Sequence, residues 1–332
     1  MANEQISAKV MGLGTYLPEQ LLTNADLEAR PELETTDEWI VRRTGIRERH
    51  VIADDEATSD IATRAADACL ADAGVDASEI SLIICATVTP DMIFPATACL
   101  VQANIGATKA AGYDLVLGCT GFVSALATAA QFVENGSYKY VLVIGADALT
   151  RVTNWTDRST CVLFGDGAGA VLLGPGEPGD GVLSFSMTNQ GEHAEFLALP
   201  GGGSRQKMTP ELCAAHADTI HMNGRDVFKL AVSGIPKVME RALEKAEMGP
   251  EDIDLLVMHQ ANVRIIESAA ERFGFPMEKV AITIDKHGNT SAASMPLALE
   301  EMRSQGRLSP GDTILMVGFG AGFALAATVV RW

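Results

Sequence analysis

One of the six cysteines stands at a position that suits a nucleophile. Cys119 follows the strand-like run 113–118 and precedes a helix-like run of small residues that begins at Thr120. A thiol at the amino end of a helix faces the positive end of the helix dipole, which favours the thiolate form. The local pattern leaves a second interpretation open, a core cysteine at a tight turn.

Two polar residues in the second half of the sequence could assist such a thiol. His259 follows the apolar run 254–258, and Asn289 lies in the small-residue segment 287–294, which leads into a helix-like run. Ligands of open α/β sheets gather beyond the carboxyl ends of the strands. A lone histidine is more often a satisfied core residue, but Cys, His and Asn at three such junctions favour one catalytic constellation.

Short apolar runs alternate with helix-like segments along the chain. Residues 61–73 form an alanine-rich amphipathic pattern that predicts a helix, and residues 80–86, 115–117 and 141–144 predict buried strands. Strands that helices cover on both faces read as continuous apolar runs. The pattern is therefore typical of an α/β fold.

Segments of the two halves of the sequence resemble one another. Residues 73–87 (AGVDASEISLIICAT) align with residues 246–260 (AEMGPEDIDLLVMHQ), and residues 164–171 (FGDGAGAV) align with residues 317–324 (VGFGAGFA). Chance can produce matches as modest as these, but we favour one α/β unit that is duplicated and fused. Its halves are residues 1–178, with the cysteine, and residues 179–332, with the histidine and the asparagine.

The composition excludes several functional classes. The chain has 332 residues, 47% of them hydrophobic, and its 25 Lys and Arg against 43 Asp and Glu give a formal charge of −18. Phosphate binding needs clustered basic residues, so we expect neither nucleic acid nor an anionic membrane as a partner. No apolar run has the length of a membrane span and residues 1–5 begin no signal peptide, so we expect a cytoplasmic protein.

Cysteine spacing and glycine runs argue against two further kinds of site. The cysteines form no CxxC or CxxH pair, so we expect reduced thiols and no zinc site. The glycine runs at 165–169 and 318–322 are followed by strand-like rather than helix-like residues. A dinucleotide-binding fingerprint needs a helix there, so these runs do not predict one.

Five motifs occur in the order found in the β-ketoacyl-acyl-carrier-protein synthase III family, which the chain therefore resembles along nearly its whole length. They are residues 36–50 (TDEWIVRRTGIRERH), 119–122 (CTGF), 164–170 (FGDGAGA), 259–262 (HQAN) and 288–294 (GNTSAAS). The resemblance implies the thiolase fold, in which two duplicated βαβ halves form five layers, α/β/α/β/α. It also implies a homodimer.

For the chemistry, the resemblance implies that Cys119 takes an acyl group from acyl-CoA, while His259 and Asn289 hold the malonyl thioester oxygen. Loss of CO₂ from malonate leaves an enolate, which two hydrogen-bond donors stabilise. The backbone N–H groups of Cys119 and Ala321 would form the oxyanion hole of acyl transfer. Covalent transfer implies ping-pong kinetics with CoA released first. The resemblance also implies that no metal or redox cofactor is required. One histidine paired with one asparagine separates this family from elongating synthases, which use two histidines.

The resemblance also implies binding roles. Trp39 would stack on the CoA adenine with Arg158 on its other face, Arg43 would contact the phosphates, and Asn262 would line the pantetheine tunnel. Phe94 would reach into the acyl pocket of the partner subunit. The carrier-protein surface would contain Lys229, Gln260, Arg264 and Arg272, with Arg225 as an added charge and Glu271 in place of a basic residue found in some relatives.

The implied function is the initiating condensation of type II fatty-acid synthesis. An acetyl or short branched acyl-CoA primer would condense with malonyl-acyl-carrier protein, giving 3-ketoacyl-acyl-carrier protein, CO₂ and CoA. A condensing enzyme or acyltransferase of secondary metabolism, of the polyketide-starter or alkylquinolone type, would use the same three residues. A non-catalytic acyl-binding scaffold would not need all three. A thiolase proper would need a second catalytic cysteine near the C-terminus, and the last cysteine here is Cys213.

Overall fold

The computed structural model describes residues 6–332; residues 1–5, on which the prediction of no signal peptide rests, lie outside this range. The strands are β1 (Ser7–Tyr16), β2 (Gln20–Thr23), β3 (Glu48–Val51), β4 (Leu82–Ala86), β5 (Ala111–Leu115), β6 (Val141–Ala148), β7 (Asp166–Gly176), β8 (Gly181–Asn189), β9 (Leu197–Ala198), β10 (His221–Met222), β11 (Leu255–Met258), β12 (Thr313–Gly320) and β13 (Ala324–Arg331). The helices are α1 (Asn24–Glu28), α2 (Asp37–Thr44), α3 (Thr58–Ala73), α4 (Thr97–Asn104), α5 (Gly121–Glu134), α6 (Arg158–Cys161), α7 (Pro210–Ala214), α8 (Gly224–Ala246), α9 (Val263–Phe273), α10 (Ile284–His287) and α11 (Ser294–Ser304).

Two sheets form the frame of the molecule. The first has the strand order β1-β7-β6-β4-β5, and the second has the order β8-β13-β12-β11. In the first sheet β6 pairs antiparallel with β7 and parallel with β4. In the second sheet β12 pairs in the same way, antiparallel with β13 and parallel with β11. The strands of the first sheet all precede residue 178 and those of the second all follow it.

The two aligned pairs of segments have different outcomes. The first pair contains β4 and β11, which occupy the same place in their sheets, so this alignment matches the fold. The second pair is wrong as a structural equivalence. Residues 166–170 begin β7, whereas residues 317–320 end β12, the strand before the counterpart of β7. Both segments are glycine-rich because the backbone packs closely there.

Three helical layers and the two sheets alternate. Helices α5 and α11 share one apolar core with both sheets, so they form the central layer. Helices α3 and α4 cover the outer face of the first sheet, and α8 and α9 cover the outer face of the second. The fold is therefore the five-layer thiolase arrangement that the sequence predicts.

The sequence of α5 suits a helix between two sheets. Ten of its 14 residues are buried, and half of these are alanine or glycine. Small side chains let backbones approach: a Cβ on Gly145 of β6 would lie 2.4 Å from the carbonyl oxygen of Ala292. The central layer can therefore hold both helices together with the loops that lead into them.

Most predicted elements are present, with one displaced strand. The predicted helix 61–73 is α3, and the strands predicted at 80–86 and 141–144 are β4 and β6. The strand predicted at 115–117 is instead β5, residues 111–115. Its parallel pairing with β4 runs from Leu82 opposite Ala111 to Ala86 opposite Leu115, and the chain then leaves the sheet toward Cys119.

A smaller cap lies beside the two sheets. A separate apolar core joins the antiparallel strands β2 and β3 to α1, α2 and residues 161–164. Arg49 of β3 is fully buried under this cap and donates to the carbonyls of Leu22 and Val162 at 3.2 and 2.8 Å.

No helix in residues 6–332 combines the length and the apolar character needed to cross a membrane.

Candidate active site

Cys119 lies where the chain turns from β5 into α5. It sits in a single 3-10 turn, Gly118–Thr120, and is 8% exposed. Gly118 has a φ of 53°, in the left-handed region that favours glycine. On the other side, β12 approaches so closely that a Cβ on Gly320 would lie 2.9 Å from the Cβ of Cys119 and 3.2 Å from its Sγ. Backbone packing therefore fixes the position of the thiol.

The ionisation of Cys119 differs from the sequence expectation. The thiol does lie at the amino end of α5, as predicted, but burial raises its pKa to about 12. The free-energy cost of desolvating a thiolate here exceeds the stabilisation that the amino end of the helix gives it, because the small residues around Cys119 leave it little contact with solvent. The resting group is the neutral thiol.

His259 follows the carboxyl end of β11. Its backbone N–H donates to the carbonyl of Val317 in β12 at 2.8 Å, which extends the parallel pairing by one residue. The ring is buried, its Nδ1 lies 2.7 Å from Oγ of Ser294, and the ring of Phe319 packs edge-on at 5.2 Å between centroids. Burial lowers the pKa of His259 to about 3, so the imidazole is neutral.

Asn289 connects the two halves through its backbone. Its N–H donates to the carbonyl of Leu163 at 2.8 Å, and its carbonyl accepts from Gly165 at 3.0 Å. Its side-chain Oδ1 accepts the backbone N–H of Ser291 at 2.9 Å. This bond identifies the oxygen, so Nδ2 remains as a hydrogen-bond donor.

One cavity brings these three side chains together. Cys119, His259 and Asn289 all line a space of about 130 Å³, together with Phe319 and Gly320. They come from a helix start, a strand end and a loop that are far apart in the sequence. The three residues predicted to form one constellation therefore share one site.

This central cavity adjoins a wide mouth at the surface. The mouth has a volume of about 590 Å³ and shares Met222, Gly224, Phe228 and Asn262 with the central cavity. Five cationic side chains line it: Arg43, Arg158, Arg225, Lys229 and Arg264. In a chain with a net charge of −18, these side chains form a local basic surface.

On its other side the central cavity adjoins a small apolar cavity. This cavity has a volume of about 140 Å³ and shares Cys119, Phe164 and Leu197 with the central one. Much of its lining is aliphatic: Val88, Leu149, Val152, Leu199 and Ile220. Ala321, predicted to supply an oxyanion-hole N–H, lines it beside Cys119. The thiol thus lies between a basic entrance and an apolar end.

The predicted nucleotide-binding residues lie together at the mouth. The guanidinium carbons of Arg43 and Arg158 lie 4.8 and 4.9 Å from the ring centroid of Trp39. Arg158 also donates to the carbonyl of Glu34. Asn262 donates to the carbonyl of Arg43 at 3.0 Å and lines both the mouth and the central cavity.

The predicted carrier-protein residues separate into two groups. Lys229 and Arg264 line the mouth, and Arg272 is exposed near the end of α9. Gln260 is a correction, because its side chain is 1% exposed. Its amide donates to two backbone carbonyls, and its oxygen accepts the N–H of Thr283 at 2.9 Å. A side chain bonded in this way supports the fold beneath His259 and cannot touch a carrier protein.

Phe94 lies away from these cavities on the surface of its own subunit. It is 82% exposed, as is Ile93 beside it. The predicted contact with a partner's acyl pocket therefore remains a prediction.

Ser294 and Phe319, which hold the ring of His259, were not among the predicted site residues, although Ser294 ends the motif 288–294. In residues 6–332 no three His, Cys, Asp or Glu side chains gather as metal ligands.

Comparisons with known proteins agree with one another. Models of the 3-oxoacyl-[acyl-carrier-protein] synthase III family and of its C-terminal region match residues 113–191 and 243–332. The chain is 49% identical over 329 residues to a protein of Caldanaerobacter subterraneus subsp. tengcongensis named beta-ketoacyl-[acyl-carrier-protein] synthase III. The match covers 99% of each chain.

Solved structures extend the similarity to three dimensions. The 3-oxoacyl-[acyl-carrier-protein] synthase III of Aquifex aeolicus has 43% identity and a TM-score of 0.90, over 98% of this chain and 100% of that one. The priming β-ketosynthase of the R1128 polyketide pathway has 32% identity and a TM-score of 0.92, over 99% and 97%. In every case the similarity spans both halves of the chain.

Proposed function

The chain belongs to the β-ketoacyl-[acyl-carrier-protein] synthase III family, and we propose that Cys119, His259 and Asn289 carry out the condensation of that family. The protein is an initiating condensing enzyme of fatty-acid synthesis, an acyltransferase that joins a primer to a malonyl extender. The observation that carries the assignment of residues is their shared cavity between a basic mouth and an apolar end.

The first half-reaction is acyl transfer. The sulfur of Cys119 attacks the thioester carbon of acyl-CoA, and the bond from that carbon to the CoA sulfur breaks. Because burial keeps the thiol protonated, the proton leaves as attack proceeds, and the departing CoA sulfur takes up one proton. The backbone N–H groups of Cys119 and Ala321 hold the tetrahedral oxyanion, and the acyl chain extends into the apolar cavity.

The second half-reaction is decarboxylative. The bond between the malonyl carboxylate and its α-carbon breaks, CO₂ leaves, and the electron pair moves onto the thioester oxygen as an enolate. His259 and Asn289 donate to that oxygen. Two buried donors act where the charge develops, and loss of one such donor costs about 10²- to 10³-fold in rate. The enolate carbon then attacks the acyl carbon on Cys119 and expels the thiolate, which takes up a proton to restore the resting thiol.

The mouth binds the carrier of each acyl group. We assign Trp39 to the adenine of CoA, with Arg43 and Arg158 beside it, and the adenine displaces one of the two guanidinium groups that cover the ring. Phosphopantetheine passes Asn262 to reach Cys119. Acidic acyl carrier protein binds to Lys229, Arg225 and Arg264 at the rim and to Arg272 beyond it. Electrostatic attraction at this surface offsets the repulsion between two acidic proteins.

We assign the protein to the cytoplasm as a homodimer. Three exposed apolar side chains support the dimer: Met92, Ile93 and Phe94 are 48, 82 and 82% exposed. A second copy covers this segment, and Phe94 enters the apolar cavity of the partner subunit. Phe94→Ser is expected to convert the dimer to a monomer in analytical ultracentrifugation. A wild-type protein that sediments as a monomer at micromolar concentration would contradict the assignment.

The assignment of chemistry is tested by intact-protein mass spectrometry after incubation with a series of acyl-CoA primers, followed by malonyl-acyl-carrier protein. Wild-type protein is expected to gain one acyl group and to release it as 3-ketoacyl-acyl-carrier protein. Cys119→Ala is expected to gain none. His259→Ala and Asn289→Ala are expected to gain the acyl group and to fail at decarboxylation. Acylation of Cys119→Ala, or normal condensation by both other variants, would refute the roles.

The same assay distinguishes fatty-acid initiation from secondary metabolism. The curated relatives at 47–49% identity are named beta-ketoacyl-[acyl-carrier-protein] synthase III, whereas the priming β-ketosynthase of the R1128 polyketide pathway shares 32% identity. Acetyl or short branched primers that are extended by malonyl-acyl-carrier protein are the expected result. An enzyme that accepts only aromatic or long-chain acyl groups would belong to the secondary-metabolism type instead.

A further inference from the structure

Ser294 contacts His259 at an atom that decides what the imidazole can do. Oγ of Ser294 lies 2.7 Å from Nδ1 of His259, and the two residues are 2% and 1% exposed. A neutral imidazole carries one proton, on either Nδ1 or Nε2. Only the tautomer with the proton on Nε2 can donate a hydrogen bond into the cavity while Nδ1 faces Ser294.

The hydrogen bonds around Ser294 select one tautomer. Oγ of Ser294 accepts the backbone N–H of Gln260 at 3.4 Å, which uses one lone pair and leaves its own proton to be placed. In the described part of the chain, Nδ1 of His259 is the one acceptor that this hydroxyl reaches. If Nδ1 carried the proton instead, the serine hydroxyl would be buried without an acceptor, which is unfavourable because a buried donor without a partner loses the hydrogen bond that it makes to water in the unfolded chain.

We propose that Ser294 is a positioning residue, which donates its hydroxyl proton to Nδ1 of His259 and thereby keeps the imidazole proton on Nε2, facing the substrate oxygen. The inference rests on the proposed function, since it assigns a direction to the hydrogen bond that His259 makes in decarboxylation. Phe319, packed against the ring edge, restricts its rotation, so the serine sets the proton and the phenylalanine helps to set the plane.

One short segment, residues 289–294, then determines which nitrogen of Asn289 and of His259 is left to donate a hydrogen bond. Asn289 and Ser294 are five residues apart, at the two ends of the loop that begins α11. The N–H of Ser291 binds Oδ1 of Asn289 and leaves Nδ2 to donate; the O–H of Ser294 binds Nδ1 of His259 and leaves Nε2 to donate. Both contacts leave an N–H available at the cavity, which is the arrangement that an enolate oxygen requires.

The tautomer can be observed directly. In wild-type protein labelled with ¹⁵N-histidine, two-bond correlations from the ring carbons' protons identify the protonated nitrogen, and the signals of His259 are assigned by their loss in His259→Ala. A protonated Nε2 with an unprotonated Nδ1 is expected at neutral pH. A protonated Nδ1 would overturn the proposal without any assay of activity.

The functional test is Ser294→Ala, which removes only the hydroxyl. Acyl loading of Cys119 is expected within about twofold of wild type, and the KM for malonyl-acyl-carrier protein within a similar factor. The kcat for condensation is expected to fall about 10- to 100-fold, the usual effect of removing a partner that orients a functional histidine. The matched control is Ser184→Ala, which removes a buried hydroxyl bonded to the carbonyl of Ala242.

The outcomes separate this proposal from the assignment of function. Wild-type protein that performs no condensation would refute the proposed function. Wild-type protein that condenses while Ser294→Ala condenses equally well would refute only the role of Ser294. Equal losses of loading and condensation in Ser294→Ala would refute it too, because that result marks a general structural role.

Discussion

Replacement of Gly320 by alanine tests whether the backbone of β12 fixes the nucleophile. The added Cβ would lie 2.9 Å from the Cβ and 3.2 Å from the Sγ of Cys119. Non-bonded carbon atoms prefer about 3.5–4.0 Å, so the two residues must separate by about 0.6 Å or more. Cys119 has little room to retreat, since a Cβ on Gly121, which begins α5, would already lie 3.0 Å from the Cβ of Ala86.

Two magnitudes follow from this overlap. Overpacking a buried site by one methyl group costs about 1–3 kcal/mol of folding free energy, so the variant is expected to fold with a lowered thermal midpoint. A misplacement of reacting atoms by about 1 Å can cost about 10²-fold in rate. For a shift near 0.6 Å, we expect acyl loading of Cys119 to slow by about 10- to 100-fold.

The loading rate is measured by quenched-flow mass spectrometry with the preferred acyl-CoA, and stability is measured by thermal unfolding. The matched control is Gly191→Ala, because a Cβ on Gly191 would meet no atom within 4 Å. That control is expected to load at the wild-type rate. If Gly320→Ala also loads within twofold of wild type, the close approach of β12 does not hold the thiol in place, and the reasoning is wrong.

Three further predictions concern ionisation and buried charge. Since burial raises the pKa of Cys119 to about 12, its alkylation by iodoacetamide should accelerate about tenfold per pH unit from pH 6 to 9; a plateau near neutral pH would contradict this. The pKa of His259 is about 3 in the folded protein and near 6.5 in the unfolded chain. As the pH falls from 6.5 toward 3, the unfolded state therefore binds a proton that the folded state does not bind, and the folded state loses stability. In urea denaturation, the free energy of unfolding of the wild type should therefore fall by about 1.4 kcal/mol more per pH unit than that of His259→Gln. Equal slopes in the two proteins would show that His259 is not the cause. Arg49→Met leaves buried acceptors unpaired and should lower the free energy of unfolding by about 3 kcal/mol, so an unchanged urea midpoint would show that the guanidinium is not needed.

Local sequence patterns were sufficient for much of the fold. The alanine-rich periodicity of α3 and the apolar runs of β4 and β6 predict those elements, because a helix or a buried strand imposes its own spacing on the residues that cover it. The prediction failed at 115–117, since the end of β5 is set by its pairing with β4, a strand about 30 residues away. Pairing partners are not visible in the run itself.

The candidate site shows the same division more sharply. The sequence by itself singled out Cys119, His259 and Asn289, because a nucleophile and two donors need particular residue types at strand-to-helix junctions. Tertiary structure alone decided how those groups ionise and where their protons lie. Burial by both halves of the chain raises the pKa of the thiol, lowers that of the imidazole, places Gln260 out of reach of a carrier protein and sets Ser294 against His259. Desolvation and hydrogen-bond direction depend on every neighbour in space, and most of those neighbours are distant in the sequence.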